Sequence, residues 1–68
     1  MNTITIKDEF IKLGQALKLA GIVENGAHAK EVIVNGEVLV NGEVDERRGR
    51  KLYKGDVFSY NGNDVKVE

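Results

Sequence analysis

Early in the chain, apolar residues recur at intervals of three and four, which is the spacing of one face of an α-helix. The pattern predicts an amphipathic helix that ends near Gly21. Its apolar positions are Phe10, Leu13, Ala16, Leu17 and Ala20. Two starting points fit the pattern: either Asp8 caps the helix, or residues 10–12 are extended and the helix begins at Leu13.

A second helix is predicted from about Ala27 to Val34, because apolar residues again fall on one face. It follows the segment "ENG", and the pair Asn35-Gly36 suits the left-handed C-terminal cap that ends many helices. The inner face of this helix consists of Ala29, Val32 and Ile33.

Elsewhere the apolar residues alternate with polar ones, which is typical of half-buried β-strands. The segment "TITIK" predicts a first strand whose two isoleucines lie on one side. In "EVLVNGEV", Val38 and Val40 face one way, and the pair Asn41-Gly42 suits a two-residue hairpin turn.

A last hairpin is predicted from "DVFSY" and "DVKVE", joined by a turn at "NGN". Its inward residues are Val57, Val65 and Val67. The simplest arrangement of all these elements is two short helices packed on a small, mostly antiparallel sheet. The sequence therefore predicts an α+β fold in which residues 1–68 form a single domain.

The composition limits the type of protein further. A chain of 68 residues buries only about 60% of the surface that its unfolded form exposes, so the core is thin. There is no cysteine, which excludes a disulfide framework or a thiolate metal site and fits a reducing compartment. No apolar run approaches the roughly 20 residues of a membrane span, and the N-terminus lacks a charged-then-apolar leader. We therefore expect a cytoplasmic protein.

Positive charge is concentrated in one segment of a chain whose net charge is only −1. Residues 47–54, "RRGRKLYK", hold half of the ten Lys and Arg and no carboxylate. Because like charges repel in the free protein, this clustering indicates an anionic partner. Arg presents a planar fork that matches phosphate oxygens, so an exposed loop between strands is expected to bind phosphate here. The start of the second helix, at residues 26–28, also favours an anion.

Other polar residues have simpler structural explanations. Asp45 and Glu46 do not form a catalytic pair of carboxylates, because the side chains of adjacent residues point apart. Next to Arg47 and Arg48, these two residues are expected to balance local charge. A lone His28, without a second His or a Cys, indicates a surface residue and no metal site. Ser59 has no base and acid placed to activate it, so no enzyme activity is predicted. Tyr53 either stacks on a base or packs over the sheet edge.

The run "GAHAKEVIVNGEVLVNG", followed by "RRGRKLYKGD", resembles the alpha-L RNA-binding motif, also called the S-four-like domain. The segments "IKLGQALKLAG" and "RRGRKL" in addition resemble the small stand-alone bacterial members of that family. The resemblance covers residues from about Ile11 to Phe58. The positions that match the family pattern are Ala29, Val32, Ile33, Gly36, Val38, Val40, Asn41, Gly42, Gly55 and Asp56.

The resemblance implies an RNA ligand that is contacted from the starts of both helices and from the basic segment. The implied contact residues are Lys12, Gln15, Lys18, His28, Lys30, Arg47, Arg48, Arg50 and Lys51. Where many relatives carry Arg in the second helix, this chain has Ala27 and His28, which implies a weaker or pH-dependent contact. Gly14 is less favourable in a helix than Ala by about 1 kcal/mol, which indicates close approach of another part of the backbone.

We therefore expect a non-catalytic, monomeric RNA-binding module without a cofactor, which recognises structured RNA through a basic loop and helix N-termini. Ribosomal RNA or a ribosome-assembly intermediate is the target that the resemblance implies. The alternative is a protein-interaction module that docks an acidic partner through the same loop. Exposed loop charges contribute little to stability, so changing Arg47, Arg48 and Arg50 to Glu is expected to abolish RNA binding and leave the fold intact.

Overall fold

The computed structural model describes all 68 residues, which form two helices and seven short strands. In chain order the elements are β1 (Asn2–Ile4), β2 (Ile11–Lys12), α1 (Leu13–Leu19), α2 (Gly26–Val34), β3 (Val38–Val40), β4 (Glu43–Val44), β5 (Lys51–Leu52), β6 (Val57–Tyr60) and β7 (Asn63–Val67). Neither helix has the length and apolar character that a membrane crossing requires.

Five of the strands form one sheet in the order β1-β7-β6-β3-β4. β1 runs parallel to β7, and every other neighbouring pair in this sheet is antiparallel. The remaining strands, β2 and β5, form a separate antiparallel ribbon. The helices share one core with the sheet, so the predicted α+β fold of two short helices on a mostly antiparallel sheet is confirmed.

A single cluster of 15 buried apolar side chains joins the helices to the sheet. The helices contribute Leu13, Ala16, Leu17, Ala29, Val32 and Ile33, as their apolar spacing predicts. The strands and their continuations contribute Ile4, Ile6, Val38, Val40, Leu52, Phe58, Val65 and Val67, and Val23 comes from the segment between the helices. The isoleucines of the first strand and the two valines of β3 are therefore buried on the predicted side.

Two apolar residues depart from the predicted core. Val57 is only half-buried, and its neighbour Phe58 is fully buried in its place. Phe58 lies opposite Val40 and Val65, which are both buried, so the alternation along β6 turns Val57 away from the core. Phe10 does not belong to the helix; it precedes β2 and is half-buried.

α1 begins at Leu13, so the second of the two predicted starts is correct. Lys12, the residue before the helix, is extended, with φ −77° and ψ 145°, and no side chain caps the helix. The cause is the pairing of β2 with β5, which holds residues 11–12 in strand conformation. Asp8 therefore has no capping role.

α2 begins at Gly26, one residue before the predicted start, because the side chain of Asn25 accepts a hydrogen bond of 2.8 Å from the backbone N–H of His28. At the other end Gly36 adopts φ 76°. The N–H groups of Gly36 and Glu37 donate back to the last turn, at 3.1 and 3.0 Å. This is a Schellman cap, and it confirms the predicted stop at Asn35-Gly36.

Both hairpins turn through an Asn-Gly pair with positive φ angles. Asn41 and Gly42 have φ values of 51° and 86°, so the predicted two-residue turn is confirmed. Asn61 and Gly62 repeat this geometry with φ values of 51° and 81°. The last turn is therefore a residue shorter than the predicted "NGN", because Asn63 already pairs with its neighbour strand.

Gly42→Val is expected to destabilise the protein by about 1–3 kcal/mol, because a β-branched residue is strained at this positive φ. For a domain of this size, each kcal/mol corresponds to roughly 4–8 °C in Tm. A Cβ at Gly42 would meet no atom within 4 Å, so the effect isolates backbone strain. Gly49→Val is the matched control, since Gly49 also has open space and lies outside the left-handed region. Equal melting temperatures for the two variants would contradict the turn assignment.

Candidate nucleic-acid interface

The β4–β5 loop, residues 45–50, connects the five-stranded sheet to the β2–β5 ribbon. It contains three of the predicted contact residues, whereas Lys51 lies in β5. The predicted exposed loop between strands is therefore present, and the two strands that it joins belong to different sheets. This connection brings the loop against the start of α1.

Two backbone hydrogen bonds attach this loop to α1. The N–H of Leu13 donates to the carbonyl of Arg50 at 2.8 Å, and the N–H of Gly14 donates to the carbonyl of Arg48 at 3.0 Å. The first N–H groups of a helix have no partner within the helix, so the loop carbonyls take the place of a side-chain cap. The close approach predicted at Gly14 is therefore to Arg48.

The space around Gly14 would accommodate a side-chain Cβ, so steric crowding does not require glycine at this position. A Cβ there would lie 3.5 Å from the carbonyl oxygen of Arg48 and 3.7 Å from its Cβ, which is ordinary van der Waals contact. The close approach is therefore a hydrogen-bonded contact of the two backbones that leaves room for a methyl group.

Asp45 organises the other side of the loop. Its side chain is buried, with 5% of its surface exposed, and it accepts four hydrogen bonds. Arg47 donates its backbone N–H and Nε to Oδ1, both at 3.0 Å, and Nη2 to Oδ2 at 2.8 Å. Arg50 donates Nη1 to Oδ2 at 2.6 Å. The buried carboxylate is therefore paired with two guanidinium groups.

Hydrogen bonds from the side chain of Arg47, reinforced by Arg50, hold the pKa of Asp45 well below its ordinary value. Burial acts in the opposite direction, because it disfavours the charged form, but it is the smaller effect. The predicted charge balance between Asp45 and Arg47 is confirmed. The second partner of Asp45 is Arg50, and Arg48 takes no part.

The pairing corrects the expectation that all three loop arginines are exposed charges. Arg50 is only 32% exposed in its side chain, and both Arg47 and Arg50 neutralise Asp45. Glu at these two positions would surround a buried carboxylate with like charges. The triple Glu variant would therefore lose stability as well as positive charge, and only Arg48 can be changed without touching Asp45.

A cleft opens where the starts of both helices meet the β4–β5 loop, and we refer to it as the α1–α2 cleft. It is lined by Lys12, Gly14, Gln15, Lys18, Gly26, Ala29, Lys30, Arg48 and Gly49. Four of these side chains are basic, and none is acidic. The four basic residues form no ion pair within the chain, so their charge is available to a ligand.

The structure thus divides the nine predicted contact residues. Five of them line the α1–α2 cleft: Lys12, Gln15, Lys18, Lys30 and Arg48. Arg47 and Arg50 instead line a separate concavity beside Asp45. His28 is outside the cleft: its Nδ1 accepts a hydrogen bond from the N–H of Glu24, and its ring contacts Tyr60 edge-on. Lys51 projects from the ribbon.

Residues 4–68 match the S4 domain family. The chain belongs to this family. The probable ribosome maturation protein RlbA of Bacillus subtilis (strain 168) is 54% identical over 61 residues, which cover 90% of this chain and 86% of that protein. The putative RNA-binding protein YbcJ of Escherichia coli (strain K12) is 39% identical over 61 residues, which cover 90% of this chain and 87% of that protein.

The fold of this S4 domain is also found in a solved structure. The solution structure of YbcJ from E. coli, described as having an alphaL motif involved in RNA binding, matches with a TM-score of 0.75 and 38% identity. The match covers 98% of this chain and 86% of that chain. The resemblance to the alpha-L motif that the sequence indicates is therefore confirmed.

Sequence reasoning missed the structural role of Asp45 in this S4 domain. The signal available was an aspartate directly before a cluster of arginines, with Arg47 and Arg50 at spacings of two and five. That pattern suggests charge balance but contains no information on burial. The backbone N–H of Asp45 donates to the carbonyl of Val38 at 3.1 Å, and the side chains of Arg47 and Arg50 fold back onto the carboxylate, an arrangement that the spacing alone does not reveal.

Asp45→Asn is expected to lower the free energy of unfolding at pH 7 by about 1–3 kcal/mol, because it removes charge-assisted hydrogen bonds. The pKa of Asp45 is lower in the folded chain than in the unfolded chain. Its stabilisation is therefore complete above about pH 4 and is lost as the pH falls through the folded-state pKa. Urea unfolding from pH 7 to pH 2 should show a smaller acid loss in the variant than in the parent.

Glu46→Gln is the control for this measurement, because Glu46 is the exposed neighbour and forms no ion pair. It should leave stability at pH 7 almost unchanged. If Asp45→Asn and the parent showed the same dependence on pH, the buried carboxylate would not be the group that the arginines stabilise.

Proposed function

We propose that this S4 domain binds structured RNA by holding phosphate groups in the α1–α2 cleft. One observation carries the proposal: four unpaired basic side chains, from β2, α1, α2 and the β4–β5 loop, converge on a cleft without an acidic lining residue. The four are Lys12, Lys18, Lys30 and Arg48. Such an arrangement is unfavourable in the free protein, and an anion relieves the repulsion.

The cations of the cleft supply two kinds of contact. Arg48 offers two parallel N–H donors to one phosphate, whereas the lysines act as point charges. The ammonium of Lys18 lies 4.0 Å from the position of a Cβ at Gly26, so it stands beside the first residue of α2. The start of that helix adds partial positive charge at the same place. The cleft therefore offers charge in a fixed spatial pattern.

A fixed pattern of charges favours a ligand whose phosphates are also fixed. The cations come from β2, α1, α2 and a loop that is hydrogen-bonded to α1, so their spacing is set by the fold. A helical RNA backbone presents phosphates at regular positions, whereas an unstructured strand must lose conformational entropy to do so. We therefore propose a stem-loop or junction as the ligand.

The relatives suggest which RNA this is. One is named a probable ribosome maturation protein and another a putative RNA-binding protein. On that basis we propose ribosomal RNA or a ribosome-assembly intermediate in the cytoplasm as the target. The proposed role is binding without catalysis, since the lining of the cleft holds neither a carboxylate nor a histidine to act as a base.

Folded RNA should be preferred to an unstructured strand of equal length, and the affinity should depend steeply on salt. Five cations, the four of the cleft and Lys51, give a slope of log affinity against log salt of about −4, taking about −0.7 to −0.9 per phosphate. Fluorescence anisotropy of both RNAs across a salt series measures this. Equal affinities, or a slope near zero, would contradict the proposal and favour docking of an acidic protein.

Arg48→Ala should weaken RNA binding and reduce the magnitude of the salt slope by about 1, because one phosphate contact is lost. The fold should be unaffected, since Arg48 makes its structural hydrogen bond through the backbone carbonyl. Lys54→Ala is the matched control, because Lys54 belongs to the same basic segment, is exposed and lies outside the cleft. A slope that changes equally in both variants would show that general charge, and not the cleft, determines binding.

A further inference from the structure

The outward face of the β2–β5 ribbon carries two basic and two aromatic residues. In the register of the ribbon Ile11 lies opposite Leu52, and Lys12 lies opposite Lys51. Leu52 is fully buried and Ile11 packs against the core, so this pair faces inward. Because side chains alternate along a strand, the face directed to solvent carries Phe10, Lys12, Lys51 and Tyr53.

The aromatic rings on this face are held close together. The ring centroids of Phe10 and Tyr53 are 6.1 Å apart, and the planes are tilted by 55°. The ammonium of Lys51 lies 4.8 Å from the centroid of Phe10, within the range of a cation–π interaction. We refer to Phe10, Lys51 and Tyr53 as the ribbon platform.

Tyr53 leaves much of its ring open to solvent although its backbone is anchored. The residue is 45% exposed, one of few large apolar or aromatic residues exposed to that extent. Its N–H donates to Oδ2 of Asp56 at 2.7 Å, and Asp56 is itself held by Asn41 at 3.1 Å. Because the backbone is anchored and the ring already lies beside Phe10, Tyr53 offers a stacking surface at a reduced cost in conformational entropy.

The ribbon platform is continuous with the α1–α2 cleft. Lys12 lines the cleft and is also the direct cross-strand partner of Lys51. Like charges directly opposite each other destabilise a strand pair, and neither lysine has an acidic partner in the chain. An anion between them would relieve this repulsion. A phosphate held there has the aromatic rings on one side and the cleft on the other.

From this arrangement we propose that the ribbon platform stacks one unpaired base of the same RNA whose helical phosphates occupy the cleft. The proposal rests on the proposed function. A nucleotide fits both parts of the site, because its phosphate matches the lysine pair and its base matches the ring of Tyr53. The platform has two rings, so it accommodates a single bulged or flipped-out base and not a track of bases.

The test uses two fluorescein-labelled RNA hairpins with the same stem, one fully paired and one with a single bulged 2-aminopurine. The parent should bind the bulged hairpin roughly 5- to 150-fold more tightly, the range expected for stacking of one base. Stacking on the tyrosine ring should also quench the 2-aminopurine emission.

Tyr53→Ala should lose both the preference and the quenching while keeping its affinity for the paired hairpin within about twofold, because the cations of the cleft are unchanged. Tyr53→Phe, which keeps the ring, should behave like the parent. Circular dichroism of each variant checks that the fold is retained.

The outcomes separate this inference from the proposed function. If the parent binds both hairpins with equal affinity and no quenching, the stacking site is refuted and phosphate binding by the cleft stands. If Tyr53→Ala retains the preference for the bulge, stacking on Tyr53 is likewise refuted and phosphate binding by the cleft stands. A contact with a protein is then the alternative role for the exposed face of the ribbon. If the parent binds neither hairpin, both proposals fail.

Discussion

The two hydrogen bonds from the start of α1 to the β4–β5 loop are the constraint on which the proposed binding surface depends. α1 has only seven residues and no side-chain cap, so the carbonyls of Arg48 and Arg50 satisfy its first free N–H groups. The same bonds fix the loop in place. Without them nothing would hold the backbone of Arg48 against α1, and the α1–α2 cleft would lose the side that Arg48 and Gly49 form.

The clustering of positive charge in residues 47–54 has two causes. Arg47 and Arg50 serve the fold, since they neutralise the buried carboxylate of Asp45. Arg48 and Lys51 remain free of ion pairs and point to different parts of the surface, the cleft and the ribbon. A dense run of Arg and Lys is therefore not one binding site. The cations proposed to meet RNA are drawn from β2 and both helices as well as from this run.

The surface proposed for RNA has two parts, one that binds phosphates and one that stacks a base, and both are held in place by the core of this S4 domain. The core of 15 apolar side chains holds the helices and strands in one arrangement, and the cations attached to them inherit that spacing. Phosphate contacts supply affinity without reading sequence, whereas a stacked base adds selectivity for an unpaired nucleotide. The lysines at positions 12 and 51 link the two, because they face each other across the ribbon.

The sequence by itself determined the features that depend on local patterns. Apolar spacing placed both helices, the Asn-Gly and Asn35-Gly36 pairs marked the turns and the helix end, and alternation identified the strands. The family resemblance indicated RNA and named five residues that do line the cleft. The spacing, the turn pairs and the alternation are properties of short segments, so they can be recognised without knowing how the segments pack against one another.

Only the tertiary structure decided which residues act together. The start of α1, the inward position of Phe58 and the pairing of Lys12 with Lys51 all depend on partners far away in the sequence, and the burial of Asp45 depends on how the β4–β5 loop folds around it. In each case two conformations or faces were compatible with the local pattern. Long-range hydrogen bonds and the register of paired strands selected one of them, and a local pattern contains no information about either.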